Sequence, residues 1–334
     1  MEEKDKQTAM VTVVIPTYNQ KPEFLSACIE SVINQVYTNI EIIIADNHSD
    51  NGTSQLMAAY EQKDSRIKLV KPPQHLSLVK NFAFAAKQVK TKYFSFLSSD
   101  DWVYPYWLQK MLPAVINNDV AWAYGEVETM DIDLQKLNYF YRRKLLPTGL
   151  YTAKQSFNRF ITLDECGWMP GDIINTAIYF EAGGIDQEGV AYCADLSLGF
   201  KLHEKGSVYY LNELVARNRQ WYFKDGKVDS RRSVKEVSDF VNIYAIAEKS
   251  ELLLSLLPQG QQTVNRWKKH YAIKFARILF VEYALAATSK EERNSAADHI
   301  LQLNNSLSTR MYLLISKNQR LCRWLYSIYT RIKK

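Results

Sequence analysis

The first hundred residues alternate between two hydrophobic rhythms. Val11-Thr12-Val13-Val14-Ile15 is β-branched and stops at Pro16, which predicts a buried strand. Phe24, Leu25, Cys28, Ile29, Val32 and Ile33 then recur at helical spacing. Residues 40–45 (IEIIIA) predict a second buried strand, 53–63 a helix, and 67–70 a short strand ahead of the breaker Pro72-Pro73. Residues 78–89 predict a helix with Val79, Phe82, Ala83 and Ala86 on one face, and 93–97 a fourth strand.

Alternation of this kind implies an α/β fold, with a mostly parallel sheet flanked by helices. Ligands on such sheets bind beyond the carboxyl ends of the strands. Polar residues collect at three such ends: Thr17-Tyr18-Asn19, Asp46-Asn47 and Asp100-Asp101. Further along, the pattern predicts helices over 106–116, 152–161 and 195–205 and a strand over 121–124. From Ser230 the style turns wholly helical, with stretches near 262–287, 291–303 and 308–333. The expected division is 1–228 for the α/β domain and 229–334 for a helical C-terminal region, meeting in the polar segment 225–230.

Composition narrows the class. With 334 residues, 47% apolar and a net charge of +6, the chain is long enough for a large core and is not of the disordered type. Its four cysteines are widely spaced with no Cys-x-x-Cys pair, which argues against a disulfide scaffold and for a reducing compartment. The polar start MEEKDKQTAM resembles no leader peptide, so a cytoplasmic location is expected. The charge is uneven: residues 310–334 carry seven Lys/Arg and no Asp/Glu, while the remainder is nearly neutral. A nucleic-acid binder would spread such charge over a folded face, so no nucleic-acid partner is expected.

Asp100-Asp101 is the first candidate for chemistry. Adjacent carboxylates behind a buried strand need neutralising, and Mg²⁺ or Mn²⁺ would do this while leaving positions for phosphate oxygens. A plain strand-end turn or helix cap is the alternative. Asp46-Asn47, at another strand end, can accept hydrogen bonds from a base or a ribose, or simply form a turn. The five histidines lack zinc-site spacing, and neither a P-loop nor a Gly-x-Ser-x-Gly elbow is present.

The runs VTVVIPTYNQ (11–20), IEIIIADNHSDNGT (40–53) and YFSFLSSDDWVYP (93–105), in this order, resemble the family 2 inverting glycosyltransferases with the GT-A fold. The resemblance covers roughly residues 11–206. It implies that Pro16, Thr17, Tyr18 and Asn19 form the first nucleotide-contacting loop, that Asp46 and Asn47 read the base, and that Lys80 reaches a phosphate. It also implies that Ser99 and Asp100 belong to the nucleotide site, with Asp100 and Asp101 as metal ligands. The stretch YCADLSLGFKLHEKG (192–206) places Asp195 where the family has its catalytic base; the alternative is a helix N-cap. Ser98 and Ala194 stand where the family has acidic residues. Trp168 and Asp172 fall on the acceptor side. Trp102, Trp107 and Trp221 are candidates for sugar stacking or for plain core, and Arg217 and Arg219 for the diphosphate or for surface charge.

The expected function is therefore metal-dependent inverting transfer of a sugar from a nucleotide diphosphate, with UDP as the expected carrier. The expected acceptor is a hydroxyl of a cell-surface glycan or a lipid-linked precursor. The alternative is a non-catalytic glycan- or nucleotide-binding module. Leu321, Trp324, Leu325, Ile328, Tyr329 and Ile332 share one face of an acid-free basic helix. This pattern suits peripheral attachment to an anionic membrane surface through 310–334 at the inner face, or packing on the core or a partner.

Overall fold

The computed structural model describes residues 10–118, 120–131, 146–162, 169–186, 189–220, 223–224, 227–228, 231–284 and 289–332. The chain divides into two compact units, Met1–Gln187 with Ala194–Trp221, and Glu188–Cys193 with Tyr222–Lys334.

The first unit grows from the β-branched runs. β1 (Val11–Thr17), β2 (Ile40–Asp46), β3 (Ile67–Val70) and β4 (Tyr93–Phe96) pair in parallel, in the order β3-β2-β1-β4. They are joined by helices α1 (Pro22–Ile33), α2 (Thr53–Lys63) and α3 (Leu78–Ala86). Strand periodicity sorts the core into two layers. Val11, Val13 and Ile15 face Leu25, Ile29 and Val32 of α1 and Met57 of α2. The same layer holds Trp107, Met111 and Val115 of α4 (Trp107–Asn118). On the other face Phe96 meets Phe82 of α3 at 5.3 Å between ring centres.

The expectation of a mostly parallel sheet holds for this half. Beyond β4 the sheet, nine-stranded among the described residues, is mixed. β8 (Ile173–Asn175) inserts antiparallel between β4 and β6 (Trp122–Asp131), and β9 (Val208–Gln220) runs parallel to β6. β5 (Trp102–Val103) and β7 (Gly149–Tyr151) both pair antiparallel with β9. α5 (Ala153–Phe160) opens on a capping box made by Thr152 and Gln155, and α6 (Thr176–Glu181) on Asn175, whose side chain accepts from Ala177 and Ile178 N–H.

α7 (Ala194–His203) ends in a buried histidine. The His203 Nδ1 side donates to the Gly199 carbonyl at 2.6 Å, which leaves Nε2 to accept from the Ser156 hydroxyl at 2.8 Å. Burial pushes this imidazole down to about 4 from 6.5. The unfolded chain takes up the proton as pH falls through the higher value, while the folded chain resists it until the lower one. Stability from this group is thus intact above about pH 6.5 and is lost progressively towards pH 4, by about 3 kcal/mol in all. Denaturant titrations across that range should show the loss in the wild type and a shallower pH dependence in His203→Gln.

In the second unit, α10 (Gln261–Ala284) packs against α8 (Arg231–Lys249), α11 (Lys290–Leu303), α12 (Leu307–Ile315) and α13 (Gln319–Ile332). α9 (Glu251–Leu256) follows α8, and β10 (Phe223–Lys224) with β11 (Lys227–Val228) forms a small antiparallel pair. Phe240 of α8 meets Tyr271 and Phe275 of α10 at 4.7 and 4.9 Å. One helix was expected over 308–333, but the chain breaks into α12 and α13. The Asn318 side chain accepts from Leu321 N–H at 3.1 Å and starts the new helix. No helix among the described residues is long and apolar enough to cross a membrane.

Candidate functional site at the carboxyl edge of the sheet

Parallel pairing brings the polar strand ends together. Thr17 lies in register with Asp46, and the Asn47 N–H donates to the Thr17 carbonyl at 2.8 Å. β4 flanks β1 on the other side, so the Ser98–Asp101 turn opens at the same edge. Pro16 and Thr17 are buried, while Tyr18 and Asn19 are exposed. Asn19 takes the left-handed conformation (φ 46°), which asparagine tolerates better than most residues. Its side chain donates to Asp50 and accepts the Asp50 N–H, both at 2.8 Å, and its own N–H donates to Ser49 Oγ at 3.0 Å.

Asp46 is buried, with one oxygen accepting the Ser49 N–H at 2.8 Å and the other the Ser54 hydroxyl at 2.6 Å. Asn47 spends its amide on backbone: Nδ2 donates to the Leu76 carbonyl and Oδ1 accepts the Leu76 N–H, each at 2.8 Å. His48 Nε2 lies 2.9 Å from the Pro72 carbonyl, and the His75 ring meets Tyr18 edge-on at 4.6 Å. The segment 72–76 is thereby bound to the end of β2, an arrangement that no local sequence signal announces. Lys80 is exposed on α3.

Ser99 Oγ accepts from Gln20 at 3.2 Å, which ties the first loop to the acidic turn. Asp100 is half-buried and Asp101 is 1% exposed. The Asp101 carboxylate accepts the Arg219 N–H at 2.7 Å and the Asn218 amide at 3.1 and 3.3 Å. Burial and the neighbouring Asp100 push this carboxyl well above the usual range, while those donors and the Arg219 charge pull it back. The Arg219 guanidinium stacks 3.6 Å over the Phe24 ring, and its Nε donates to the Asp100 carbonyl at 3.3 Å. Burial lowers the Arg219 pKa, opposed by Asp100, Asp101, Glu23 and Asp131.

This geometry separates the two acids. Asp101 turns inward onto β9, and Asp100 is the more exposed carboxylate of the pair. Among the described residues no three His, Cys, Asp or Glu side chains gather as a metal cage. Mg²⁺ commonly takes one or two carboxylates together with substrate phosphates, and Asp100 suits that donor set. Replacing Asp101 by alanine leaves the buried Arg219 N–H without this acceptor, a loss of about 1–3 kcal/mol, and removes the acceptor of the half-buried Asn218 amide at a smaller cost. Urea unfolding should show that loss in Asp101→Ala and a smaller one in Asp101→Asn.

Beside β4, Asp172 follows Gly171, whose φ of 82° suits glycine and whose added Cβ would lie 2.7 Å from Val215. The buried Asp172 accepts from the Ser95 hydroxyl and the Trp122 indole N–H, both at 3.2 Å. Burial pushes its carboxyl well up, and Asp195 adds to this, so the two acids feel each other. Asp195 is half-buried in the first turn of α7. Trp107 is core: it is 1% exposed and donates to the Gly171 carbonyl at 2.8 Å. Arg217 pairs with Glu128 at 2.7 Å and faces the Trp102 ring at 5.3 Å. Trp168 and Trp221 lie outside the described residues.

Residues 12–171 match the family model Glycosyl transferase family 2. An uncharacterized glycosyltransferase of Rickettsia prowazekii is 28% identical over 218 residues, 63% of this chain and 64% of that protein. The UDP-Glc:alpha-D-GlcNAc-diphosphoundecaprenol beta-1,3-glucosyltransferase WfaP of Escherichia coli is 30% identical over 157 residues, 47% of this chain and 57% of its own. The chain thus spans less than two thirds of the length of these curated relatives. The crystal structure of S. aureus TarS 1-349 in complex with UDP superposes with a TM-score of 0.65 at 15% identity, covering 93% of this chain and 88% of that one. TarS 1-349 has also been solved in complex with UDP-GlcNAc, with a TM-score of 0.62 at 14% identity over 93% of this chain and 88% of that one. These are likenesses of fold, and they agree with the expected GT-A architecture and helical C-terminal region.

Proposed function

We propose that this chain is a glycosyltransferase that moves a sugar from a nucleotide diphosphate, UDP in our reading, to a hydroxyl of a cell-surface glycan or its lipid-linked precursor. The observation that carries the proposal is the meeting of the β1, β2 and β4 ends at one edge, within a segment that matches a glycosyltransferase family. The UDP and UDP-GlcNAc bound to TarS support the donor class, and the diphosphoundecaprenol acceptor named for WfaP supports the acceptor class.

In this mechanism Tyr18 and Asn19 line the nucleotide loop, Asp46 meets the base or ribose, and Lys80 and Ser99 serve the diphosphate side. Asp100, seconded by Asp101, would hold Mn²⁺ or Mg²⁺, which supplies charge stabilisation to the departing diphosphate. Asp195 takes the proton from the acceptor hydroxyl as its oxygen attacks the anomeric carbon in line with the leaving group. A single in-line displacement inverts that carbon. Asp172 and Trp168 belong to the acceptor side. The domain assignment we propose is 1–228 for this chemistry and 229–334 for a helical region serving a membrane-face setting.

A thermal-shift series of nucleotide sugars, with and without Mn²⁺, tests the reading. Nucleotide diphosphates should raise the melting temperature, and more so with Mn²⁺. A ligand at a hundred times its Kd adds about 2.7 kcal/mol. Absence of any nucleotide-dependent shift would remove the proposal.

A further inference from the structure

We infer that the outward face of α12, together with Trp324 of α13, is a docking surface for an anionic lipid bilayer. α12 is apolar on two sides. Inward, Thr309 and Leu313 are 0% and 5% exposed, and the Tyr312 hydroxyl accepts from Arg277 of α10 at 3.1 Å. Outward, Leu307, Met311 and Leu314 are 76%, 56% and 66% exposed. Their i, i+4, i+7 spacing makes them one stripe rather than scattered surface residues. In the next helix Trp324 is 60% exposed while Cys322 is fully buried. The outward stripe therefore adds little to the packing of α12 on its own unit.

Charge decides what covers it. Arg310 on α12, Lys317 in the turn after it and Arg320 at the start of α13 are exposed, and no Asp or Glu follows Asp298 in the sequence. A second copy laid on the same face would set like charges against each other. An anionic bilayer offers negative headgroups to the basic residues and an apolar layer beneath them to Leu, Met and Trp, which is how interfacial helices bind. The inference rests on the proposed function only for its setting, since a lipid-linked acceptor would lie in the same bilayer.

The test is sedimentation of the full chain with vesicles of phosphatidylcholine alone, and with about one third phosphatidylglycerol, at low and high salt. The wild type should bind the anionic vesicles, and salt should weaken binding. Lys317→Glu with Arg320→Glu should lower the partition coefficient at least about 25-fold. Leu314→Ser with Trp324→Ser should lower it about tenfold or more. All four positions are exposed, so melting temperatures should hold, and the UDP-induced thermal shift should be unchanged in every variant. That second readout separates failure at the membrane from failure of the nucleotide reading. No preference for anionic vesicles, or binding indifferent to both variant pairs, would overturn the inference. So would a concentration-dependent dimer that Leu314→Ser with Trp324→Ser abolishes while the wild type ignores vesicles.

Discussion

Asp195→Asn should lower turnover about 10²–10⁴-fold while leaving donor affinity nearly unchanged. Asparagine keeps the size of the side chain in the first turn of α7 and removes only the proton acceptor. Asp195 is half-buried and lies close enough to the buried Asp172 to raise that carboxyl. Asp172 is 3% exposed and held by Ser95 and Trp122, so an acceptor hydroxyl reaches it less readily. Initial rates at saturating donor and acceptor, set beside a donor titration, check the assignment. A variant with wild-type turnover would move the base to Asp172 or Asp186.

Asp100→Ala should abolish transfer and also remove the extra stabilisation that Mn²⁺ lends to nucleotide binding. The fold should survive, because Asp100 is half-buried and its backbone carbonyl, which accepts from Arg219, remains. The contrast with Asp101 is the informative part. Asp101 is buried on β9, so its alanine variant should lose stability as well as activity. Thermal melts with UDP, with Mn²⁺ and with both together distinguish the two acids. If Asp100→Ala kept the Mn²⁺-dependent increment, the metal would have to be held elsewhere.

Local signals made much of the first half legible. Ile40–Asp46 and Ile67–Val70 are short apolar runs bounded by breakers, and Thr53–Lys63 follows Gly52 in a left-handed turn. The order of the strand-end motifs then implied that they share an edge, because parallel strands with helical crossovers place their carboxyl ends together. Ile173–Asn175 was not legible. Three residues carry no period, and the strand exists only through distant partners at Tyr93 and Trp122. The break at Ser316–Asn318 was hidden because apolar spacing continues across it and only the Asn318 cap marks it. At the site, Asp100-Asp101 stood out as a pair, but the partners that separate their roles, Asn218 and Arg219, lie more than a hundred residues away. Asn47 is similar: its two bonds to Leu76 depend on where the segment after β3 returns.

On the proposed function, the carboxyl edge of this sheet transfers a sugar from a nucleotide diphosphate. The most direct measurement of that transfer is release of UDP from UDP-sugars in the presence of Mn²⁺, with and without a lipid-linked glycan acceptor, for the wild type and Asp195→Asn. Slow release is expected from at least one donor, accelerated by acceptor and suppressed in the variant. Tight UDP binding by the wild type with no release from any donor, acceptor present or absent, would contradict the proposed function and leave a nucleotide-binding module in its place.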